Sequence, residues 1–178
     1  MLRQTVFVLG RQARGMSTGG AAMPKVLAKY PVLTKIPLQW GEMDAFSHLN
    51  NVIYFRYFES IRLSHFYRLS DHLDPEFFHG FMHAKSLGPI LASTSCKYKF
   101  PATYPDTIIA ASGIHDVPEV GDSRFTMNYA LYSTRHDRLI AEGDGVIVMY
   151  DYGVNKKGEV TAEIKEAIER VKDDQRFS

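Results

Sequence analysis

The chain has 178 residues, a formal net charge of +1 and one cysteine. This length suits one domain that buries a core without disulfides, and the single Cys96 excludes an internal disulfide and a multi-cysteine metal site. Residues 1–41 hold six basic side chains and no acidic one, which leaves 15 basic against 20 acidic side chains, or about −5, for the rest. A mildly acidic body argues against a nucleic-acid-binding surface, and no apolar run approaches the roughly 20 residues of a membrane-spanning helix.

The first 22 residues have the pattern of a removable leader. Placed on a helix, Arg3, Arg11 and Arg14 share one face, and apolar residues occupy the other. These residues include no acidic side chain, and serine, threonine and small residues follow the last arginine. These features are typical of a mitochondrial transit peptide and predict a location in the mitochondrial matrix. A disordered tail is the alternative interpretation of residues 1–22, and the folded domain is predicted to cover residues 30–178.

A first strand is predicted for residues 30–39, because prolines bracket an apolar stretch. Residues 40–50 follow as a polar, turn-like segment. It carries Glu42, Asp44 and His48. The segment therefore brings acidic and imidazole side chains to the point where the next element begins.

That next element is a long helix, predicted for residues 51–69. Apolar side chains recur at helical spacing on several faces, a pattern typical of a helix that other structure surrounds. Asn50 is the predicted N-cap. The start of such a helix offers unpaired backbone N–H groups and a partial positive charge. A carboxylate beside it can attack a carbonyl or activate water while these N–H groups polarise the carbonyl.

After the helix, residues 70–88 are predicted to be a polar, aromatic connection. Phe77, Phe78, Phe81 and Met82 are expected to line a hydrophobic pocket or a subunit contact. The same connection holds three histidines, which are interpreted as loop residues because they lack the spacing and intervening glutamate of a helical metal motif. No metal site is predicted. The histidines are His72, His79 and His83.

The second half of the chain predicts strands. In residues 89–100 the alternation places Cys96, Tyr98 and Phe100 on one face and two lysines on the other, with Cys96 expected to be a buried or half-buried structural thiol. Further strands and a terminal helix complete the pattern. The strands are predicted for residues 107–117, 123–134 and 139–150, and the helix, with Thr161 as its cap, for residues 161–172.

One strand, one long helix and at least four further strands form an α+β pattern. A sheet that curls around a single apolar helix fits this order of elements. The pattern by itself does not give the topology of the sheet.

The segment from the polar loop into the helix resembles the signature of hotdog-fold acyl-CoA thioesterases of the 4-hydroxybenzoyl-CoA thioesterase group. Members carry the pattern D-x-x-G-H-x-N-N-x-x-Y-x-x-Y-F-E-x-x-R. One position departs from it, because Ser47 stands where the family has a glycine that takes positive φ freely. The matching residues are Asp44, His48, Asn50, Asn51, Tyr54, Tyr57, Phe58, Glu59 and Arg62.

This resemblance implies a hotdog fold, an antiparallel sheet wrapped around one long central helix, and an acyl-CoA substrate. It assigns Asp44 as the general base or the nucleophile, and the main-chain N–H of Asn51 as the donor to the oxyanion. His48 either orients water or the carbonyl, or fixes the loop. Tyr54 is expected to lie in the core or form a wall of the substrate pocket. A homodimer or homotetramer is expected.

Coenzyme A carries phosphates, so basic side chains should contact it. Lys97, Lys99, Arg135 and Arg138 are available, with solvated charge as the alternative for each. No glycine loop for a nucleotide is present, and no cofactor is predicted. Two further side-chain roles are expected near the motif. Glu42 should support the loop, and Glu59 should pair with Arg62, either within the helix or across a dimer.

Two other functions compete with hydrolysis. A non-catalytic hotdog protein could bind an acyl thioester or scaffold an assembly, and it would show saturable binding without thiol release. A hydratase or dehydratase on the same fold would act on a crotonyl-type substrate. The acid in the Asp44 loop fits hydrolysis better than either alternative.

Overall fold

The computed structural model describes residues 23–174 and 176–177. The predicted leader, residues 1–22, lies outside these residues. The elements follow in the order strand, helix, helix and then mostly strands, before a last helix. They are β1 (Val32–Pro37), α1 (Asn51–Leu69), α2 (Pro75–Met82), β2 (Leu87–Tyr98), β3 (Thr107–Gly113), β4 (Arg124–Ser133), β5 (Arg138–Asp151), β6 (Lys156–Lys157), α3 (Ala162–Asp173) and β7 (Arg176–Phe177).

The strands form one sheet in the order β2-β5-β4-β3-β1-β7, with β6 paired to β5. Neighbouring strands are antiparallel, apart from the short parallel pairing of β7 with β1. Strands β3, β4 and β5 follow one another as hairpins. Strand β2 lies at one edge and pairs, within the described chain, only with β5.

Helix α1 packs on the inner face of this sheet and provides the centre of the core. Phe58, Ile61 and Leu69 have no exposed surface. The ring of Phe58 stacks on Tyr129 of β4 with centroids 5.1 Å apart. Contact with the sheet is so close that a Cβ added to Gly143 would lie 2.6 Å from the Phe58 ring and 2.3 Å from the Ser95 carbonyl oxygen. The glycine therefore permits close approach of the helix to the sheet.

A second, smaller core lies on the outer face of the sheet. Leu27 and Tyr30, which precede β1, pack there against Ile109 of β3 and Tyr132 of β4. Burial raises the pKa of Tyr30 to about 12, with the nearby Glu142 carboxylate adding to the effect. The residues from Leu27 to the start of β1 are thus part of the folded domain.

The predicted helix over residues 51–69 is confirmed, and Asn50 caps it by accepting a hydrogen bond from the Val52 N–H at 3.2 Å. The cap at Thr161 is also confirmed, since its hydroxyl accepts from the Ile164 N–H at 3.3 Å. The half-buried state predicted for Cys96 is confirmed as well. Local sequence signals therefore located the starts of both helices.

Two predicted elements are wrong in part. Residues 70–88 contain α2, whose start is fixed by the Asp74 carboxylate accepting from the N–H groups of Glu76 and Phe77, with Pro75 in the first turn. An aspartate followed by proline is an established helix-start signal. Strand β3 ends at Gly113 instead of residue 117. Among the described residues, no helix is long and apolar enough to cross a lipid bilayer.

Candidate active site

The loop before α1 is a closed turn held by main-chain hydrogen bonds. The Asp44 N–H donates to the His48 carbonyl at 2.8 Å, and the Ser47 N–H donates to the Asp44 carbonyl at 3.0 Å. Ser47 adopts a φ of 61°, a left-handed conformation that favours glycine. Ser47, which stands at the glycine position of the motif, therefore takes a backbone conformation that glycine adopts freely.

The Asp44 carboxylate is fixed at one oxygen only. Its Oδ1 accepts from the N–H groups of Phe46 at 2.8 Å and His48 at 3.1 Å. Among the described residues no donor reaches Oδ2. The side chain is half-buried, so one oxygen organises the loop while the other is available to a ligand or water.

The first turn of α1 leaves one main-chain donor unused. The Val52 N–H donates to the Asn50 side chain, and the Ile53 N–H donates to the Asn50 carbonyl at 2.9 Å. The Asn51 N–H has no acceptor among the described residues, and Asn51 is exposed. An unpaired amide at a helix N-terminus attracts a negative charge.

Asp44 and Asn51 line the same cavity, of about 340 Å³. Its other walls come from the loop, the first turns of α1, the end of β2 and the segment that follows it. They are His48, Leu49, Tyr54, Tyr98, Lys99, Phe100 and Pro101. A second concavity, of about 600 Å³, also includes Asp44 and is bordered by the exposed Trp40 and Tyr104. Asp44 is thus shared by two concave surfaces.

Two tyrosines form the aromatic wall of the smaller cavity. Tyr54 is 3% exposed, and its ring meets the edge of Tyr98 with centroids 5.0 Å apart. The Tyr98 hydroxyl lies 3.5 Å from the Asn51 carbonyl oxygen. Burial raises the pKa of Tyr54 above its usual value, so its hydroxyl stays protonated near neutral pH. Tyr54 therefore belongs both to the core and to a cavity wall, and its contact with a substrate stays a prediction.

Glu42 supports the loop as predicted. One of its carboxylate oxygens accepts from the Gln39 N–H at 2.8 Å and from the Tyr57 hydroxyl at 2.6 Å. Burial, with the Glu42 carboxylate as second cause, raises the pKa of Tyr57. This bond ties the start of the loop to the second turn of α1.

The basic residues are divided between different places. Lys99 lines the Asp44 cavity and forms an ion pair with Glu142. Lys97 lines a separate cavity, together with Tyr30 and His115. Arg138 lies over the Phe100 ring, 4.7 Å from its centroid, and Arg135 donates to the Pro105 carbonyl at 3.2 Å. The roles of Lys97 and Lys99 in substrate binding stay predictions.

The predicted pairing of Glu59 with Arg62 within α1 is not formed. The Arg62 guanidinium donates instead to the Tyr129 hydroxyl at 3.5 Å. Glu59 is exposed, whereas Arg62 is half-buried. The spacing predicted neighbours on a helix, but these two side chains have different surroundings.

The three histidines in the connection after α1 do not converge on a metal site. His79 and His83 stack with ring centroids 4.3 Å apart, and the His83 Nδ1 lies 2.9 Å from the His79 carbonyl oxygen. In the described part of the chain, no group of three or more histidine, cysteine or acidic side chains is placed to hold a metal ion.

Several site residues were missed by sequence reasoning. Leu49 reaches the cavity because its N–H donates to the Ala102 carbonyl at 2.8 Å, which joins the loop to the segment after β2. The same contact brings Phe100 and Pro101 to the cavity wall. No local signal could show this pairing across some fifty residues. Trp40, the single tryptophan of the sequence, borders the larger concavity and is 77% exposed, but that exposure is a property of the fold that the sequence does not show.

The sequence profile of a family described as the Thioesterase-like superfamily matches residues 38–168. A thioesterase from Thermus thermophilus, crystallised with coenzyme A and zinc, has a similar structure, with a TM-score of 0.66, 20% identity, and coverage of 82% of this chain and 97% of that one. A 1,4-dihydroxy-2-naphthoyl-CoA thioesterase from Synechocystis has a TM-score of 0.62, 15% identity, and coverage of 76% of this chain and 93% of that one.

A DHNA-CoA thioesterase from Staphylococcus aureus has a TM-score of 0.61 and 15% identity, and the match covers 80% of this chain and 92% of that one. No curated protein sequence matches the chain. At these identities the likeness establishes a shared fold, which confirms the predicted hotdog architecture. Because the family profile matches most of its length, the chain belongs to the thioesterase-like superfamily.

Proposed function

We propose that the chain is an acyl-CoA thioesterase, which hydrolyses an acyl-CoA to a free acid and coenzyme A. One observation carries this proposal: Asp44 and Asn51 line the same cavity. Among the described residues, neither the Asp44 Oδ2 nor the Asn51 N–H has a hydrogen-bond partner. Membership of the thioesterase-like superfamily supports thioester hydrolysis as the class of reaction.

The reaction needs a base or nucleophile and a site for negative charge. Asp44 either removes a proton from water as the water attacks the thioester carbonyl, or attacks the carbonyl itself to form an anhydride that water then opens. In both routes the carbonyl oxygen becomes anionic, and the Asn51 N–H stabilises it with the dipole of α1. The tetrahedral intermediate collapses with cleavage of the C–S bond, which gives the free acid in the first route and the anhydride in the second, and the coenzyme A thiolate takes up a proton.

The other predicted site residues have supporting roles in this proposal. His48, whose own N–H holds the Asp44 carboxylate, orients the water or the carbonyl from the cavity wall. Tyr54 forms the wall behind the reacting group. Lys97 and Lys99 are the candidates for contacts with the phosphates of coenzyme A.

Replacing Asp44 with asparagine tests the proposal directly. Asp44→Asn keeps an acceptor oxygen for the N–H groups of Phe46 and His48, so we expect the free energy of unfolding to change by less than about 1 kcal/mol. Thiol release from short, long and aryl acyl-CoA thioesters should fall by about 100-fold or more, as for loss of a general base. Asp173→Asn, an exposed change at the end of α3, is the matched control.

Full activity in Asp44→Asn would remove the assignment. Saturable acyl-CoA binding without thiol release from any thioester would favour the non-catalytic binding protein. Hydration of a crotonyl thioester, followed by absorbance, would favour the hydratase. Each of these three outcomes is detected by a different assay: thiol release, acyl-CoA binding or the absorbance of the crotonyl thioester.

The contribution of Lys99 is separable from that of the reacting centre. Lys99→Gln should raise KM for acyl-CoA several-fold, because a positive charge near the phosphates is lost. It should leave KM for the matching acyl-pantetheine, which lacks the nucleotide phosphates, unchanged. Lys97→Gln tests the other candidate, which lines the separate cavity. For either variant, an equal rise in KM for acyl-CoA and for acyl-pantetheine would contradict a phosphate contact.

We propose that the protein forms a homodimer or homotetramer. The support is the free edge of β2, whose residues 91–95 are exposed and whose backbone has no partner strand on that side within the described chain. Such an edge is suited to pairing with a second copy. A chain mass of 20.2 kDa makes the test simple: analytical ultracentrifugation should give two or four chains per particle, and a monomer at micromolar concentration would contradict it.

We also propose that residues 1–22 direct the protein to the mitochondrial matrix. The support is the acid-free, arginine-bearing amphipathic pattern of the sequence. Residues 1–22 fused to a fluorescent protein should localise it to mitochondria, and replacing Arg3, Arg11 and Arg14 with glutamine should abolish this. Diffuse fluorescence of the unaltered fusion would contradict the targeting role.

A further inference from the structure

A further cavity, of about 230 Å³, lies beside the middle of α1. The end of α2 and strands β2 and β5 provide its other walls. It shares no lining residue with the Asp44 cavity. The side chains that matter for its chemistry are Arg62, Phe66, Phe81, Met82, Leu91 and Ile147.

The walls of this cavity are largely apolar, and several of the side chains that form them are buried and packed against each other. Phe81 is 2% exposed and Ile147 has no exposed surface. The rings of Phe66 and Phe81 meet edge to face, with centroids 5.8 Å apart. A preformed apolar surface of this kind suits a hydrocarbon group.

Arg62 is the one charged residue that lines the cavity, and it has no counter-ion within the described chain. Over residues 23–174, its guanidinium donates only to the Tyr129 hydroxyl, at 3.5 Å. Burial raises the pKa of Tyr129, so this partner is neutral at physiological pH. A guanidinium has five N–H donors, and most of those of Arg62 are left for another group.

The contrast with Arg68, about two turns later on the same helix, makes the missing counter-ion informative. Arg68 is also largely buried, and it contacts the carboxylates of Asp71 at 2.5 Å and Asp174 at 3.3 Å. A partly buried cation is costly unless it is paired. The chain supplies that pair to Arg68, whereas no carboxylate of the described residues pairs with Arg62.

We propose that this cavity binds a medium-chain monocarboxylate, with its carboxylate on Arg62 and its hydrocarbon chain against Phe66, Phe81 and Met82. Charge complementarity selects the head group, because arginine binds a carboxylate through two parallel hydrogen bonds. The cavity is smaller than the roughly 300–1,000 Å³ of typical ligand pockets, which selects a short or medium chain. The proposed site does not require that the protein hydrolyse thioesters.

Isothermal titration of the full-length protein with octanoate and decanoate tests this site. Wild type should bind both acids saturably, and Arg62→Gln should weaken binding by about tenfold or more. Arg62→Lys keeps a positive charge without the planar fork, and should recover part of the affinity. Arg56→Gln is the matched control, since Arg56 is exposed on the same helix and does not line the cavity.

Octan-1-ol, which has the chain but no charge, should bind wild type no better than it binds Arg62→Gln. Asp44→Asn should bind octanoate with unchanged affinity, which places the ligand outside the Asp44 cavity. Each of three results would overturn the proposal: no saturable binding to wild type, equal binding to Arg62→Gln, or loss of binding in Asp44→Asn. If wild type does not bind octanoate and the oligomer mass falls in Arg62→Gln, Arg62 is assigned to a carboxylate of a second copy.

Discussion

The two ends of α1 are surrounded differently although one continuous helix forms both. At its start, Asn51 and Val52 are exposed, and the Asn51 N–H has no acceptor in the part of the chain that the structure describes. Near its end, His65, Phe66 and Leu69 are at most 4% exposed. Polar groups at the open end can meet a substrate, whereas a polar group at the closed end must be satisfied by the protein itself.

His65 shows how the closed end meets that requirement. Its Nδ1 lies 2.9 Å from the Ser112 hydroxyl oxygen, and that hydroxyl lies 3.4 Å from the Ile61 carbonyl oxygen. Burial lowers the pKa of His65 to about 4. The imidazole is therefore neutral in the folded protein at neutral pH. It belongs to the buried core and does not line the Asp44 cavity.

The largest expected effect follows from this buried imidazole. Its pKa is about 4 in the folded state and 6.5 as the ordinary value, so the unfolded state binds more protons between these values. Stability from the neutral His65 is complete above pH 6.5 and is lost as the pH falls towards 4, by up to about 3 kcal/mol. Urea unfolding at about pH 7 and about pH 4.5 should show this loss in wild type.

The variant His65→Gln should remove that part of the pH dependence, because glutamine does not titrate. The difference in unfolding free energy between wild type and variant should therefore shrink on acidification. His79→Gln, an exposed change, is the control for the carboxylates that also titrate in this range. If the difference in unfolding free energy between wild type and His65→Gln is the same at both pH values, His65 is not protected from protonation by burial, and the two ends of α1 do not differ in this respect.

A slightly smaller effect is expected where α1 meets the sheet. Gly143→Ala places a Cβ 2.3 Å from the Ser95 carbonyl oxygen and 2.6 Å from the Phe58 ring, so backbone must move. We expect a loss of about 2 to 3 kcal/mol in unfolding free energy. Gly41→Ala, in the open loop, meets nothing within 4 Å and should change stability by less than about 0.5 kcal/mol.

The open end should be less sensitive but still coupled to the loop. Tyr57→Phe removes the hydrogen bond to the Glu42 carboxylate and should cost about 1.5 kcal/mol in unfolding free energy. Tyr104→Phe, an exposed tyrosine near the same loop, is the matched control. An equal effect of both changes would show that Glu42 does not connect the loop to α1.

The smallest expected effect has the opposite sign. Ser47→Gly relieves the positive φ of 61° and should stabilise the protein by about 0.5 to 1 kcal/mol. Ala45→Gly, in the same loop without positive φ, should not stabilise. If thiol release also stays unchanged in Ser47→Gly, the serine is a tolerated replacement and not a contributor to the reaction.

The sequence predicted the open end of α1 in detail because its determinants are local. Asn50 caps the helix within two residues, and Asp44, His48, Asn51 and Tyr54 are close in the chain. Residues brought from a distance were not predictable in this way. Tyr98 and Phe100 reach the cavity through the pairing of β2 with β5 and the bond from Leu49 to Ala102, which are properties of the folded sheet.

Helical spacing also failed to predict which side chains pair within α1. The interval between Glu59 and Arg62 predicts contact, but Arg62 is directed to Tyr129 of β4 while Glu59 is exposed. Helix α2 differs from the predicted connection over residues 70–88, and its local start signal is the Asp74–Pro75 pair. Spacing limits the possible neighbours, and the sheet decides among them.

The position of β2 at the sheet edge has a consequence for the order of folding. Hairpins β3–β4 and β4–β5 join strands that are adjacent in the chain, whereas β2 must meet β5 across an interval that contains both β3 and β4. Pairings between distant segments form late, because the chain entropy of closing the loop is lost first. Strand β1 meets β3 across a still longer interval, which contains α1, α2 and β2. The Asp44 cavity, which lies between the loop that follows β1 and the end of β2, is therefore expected to form after the β3–β4–β5 hairpins.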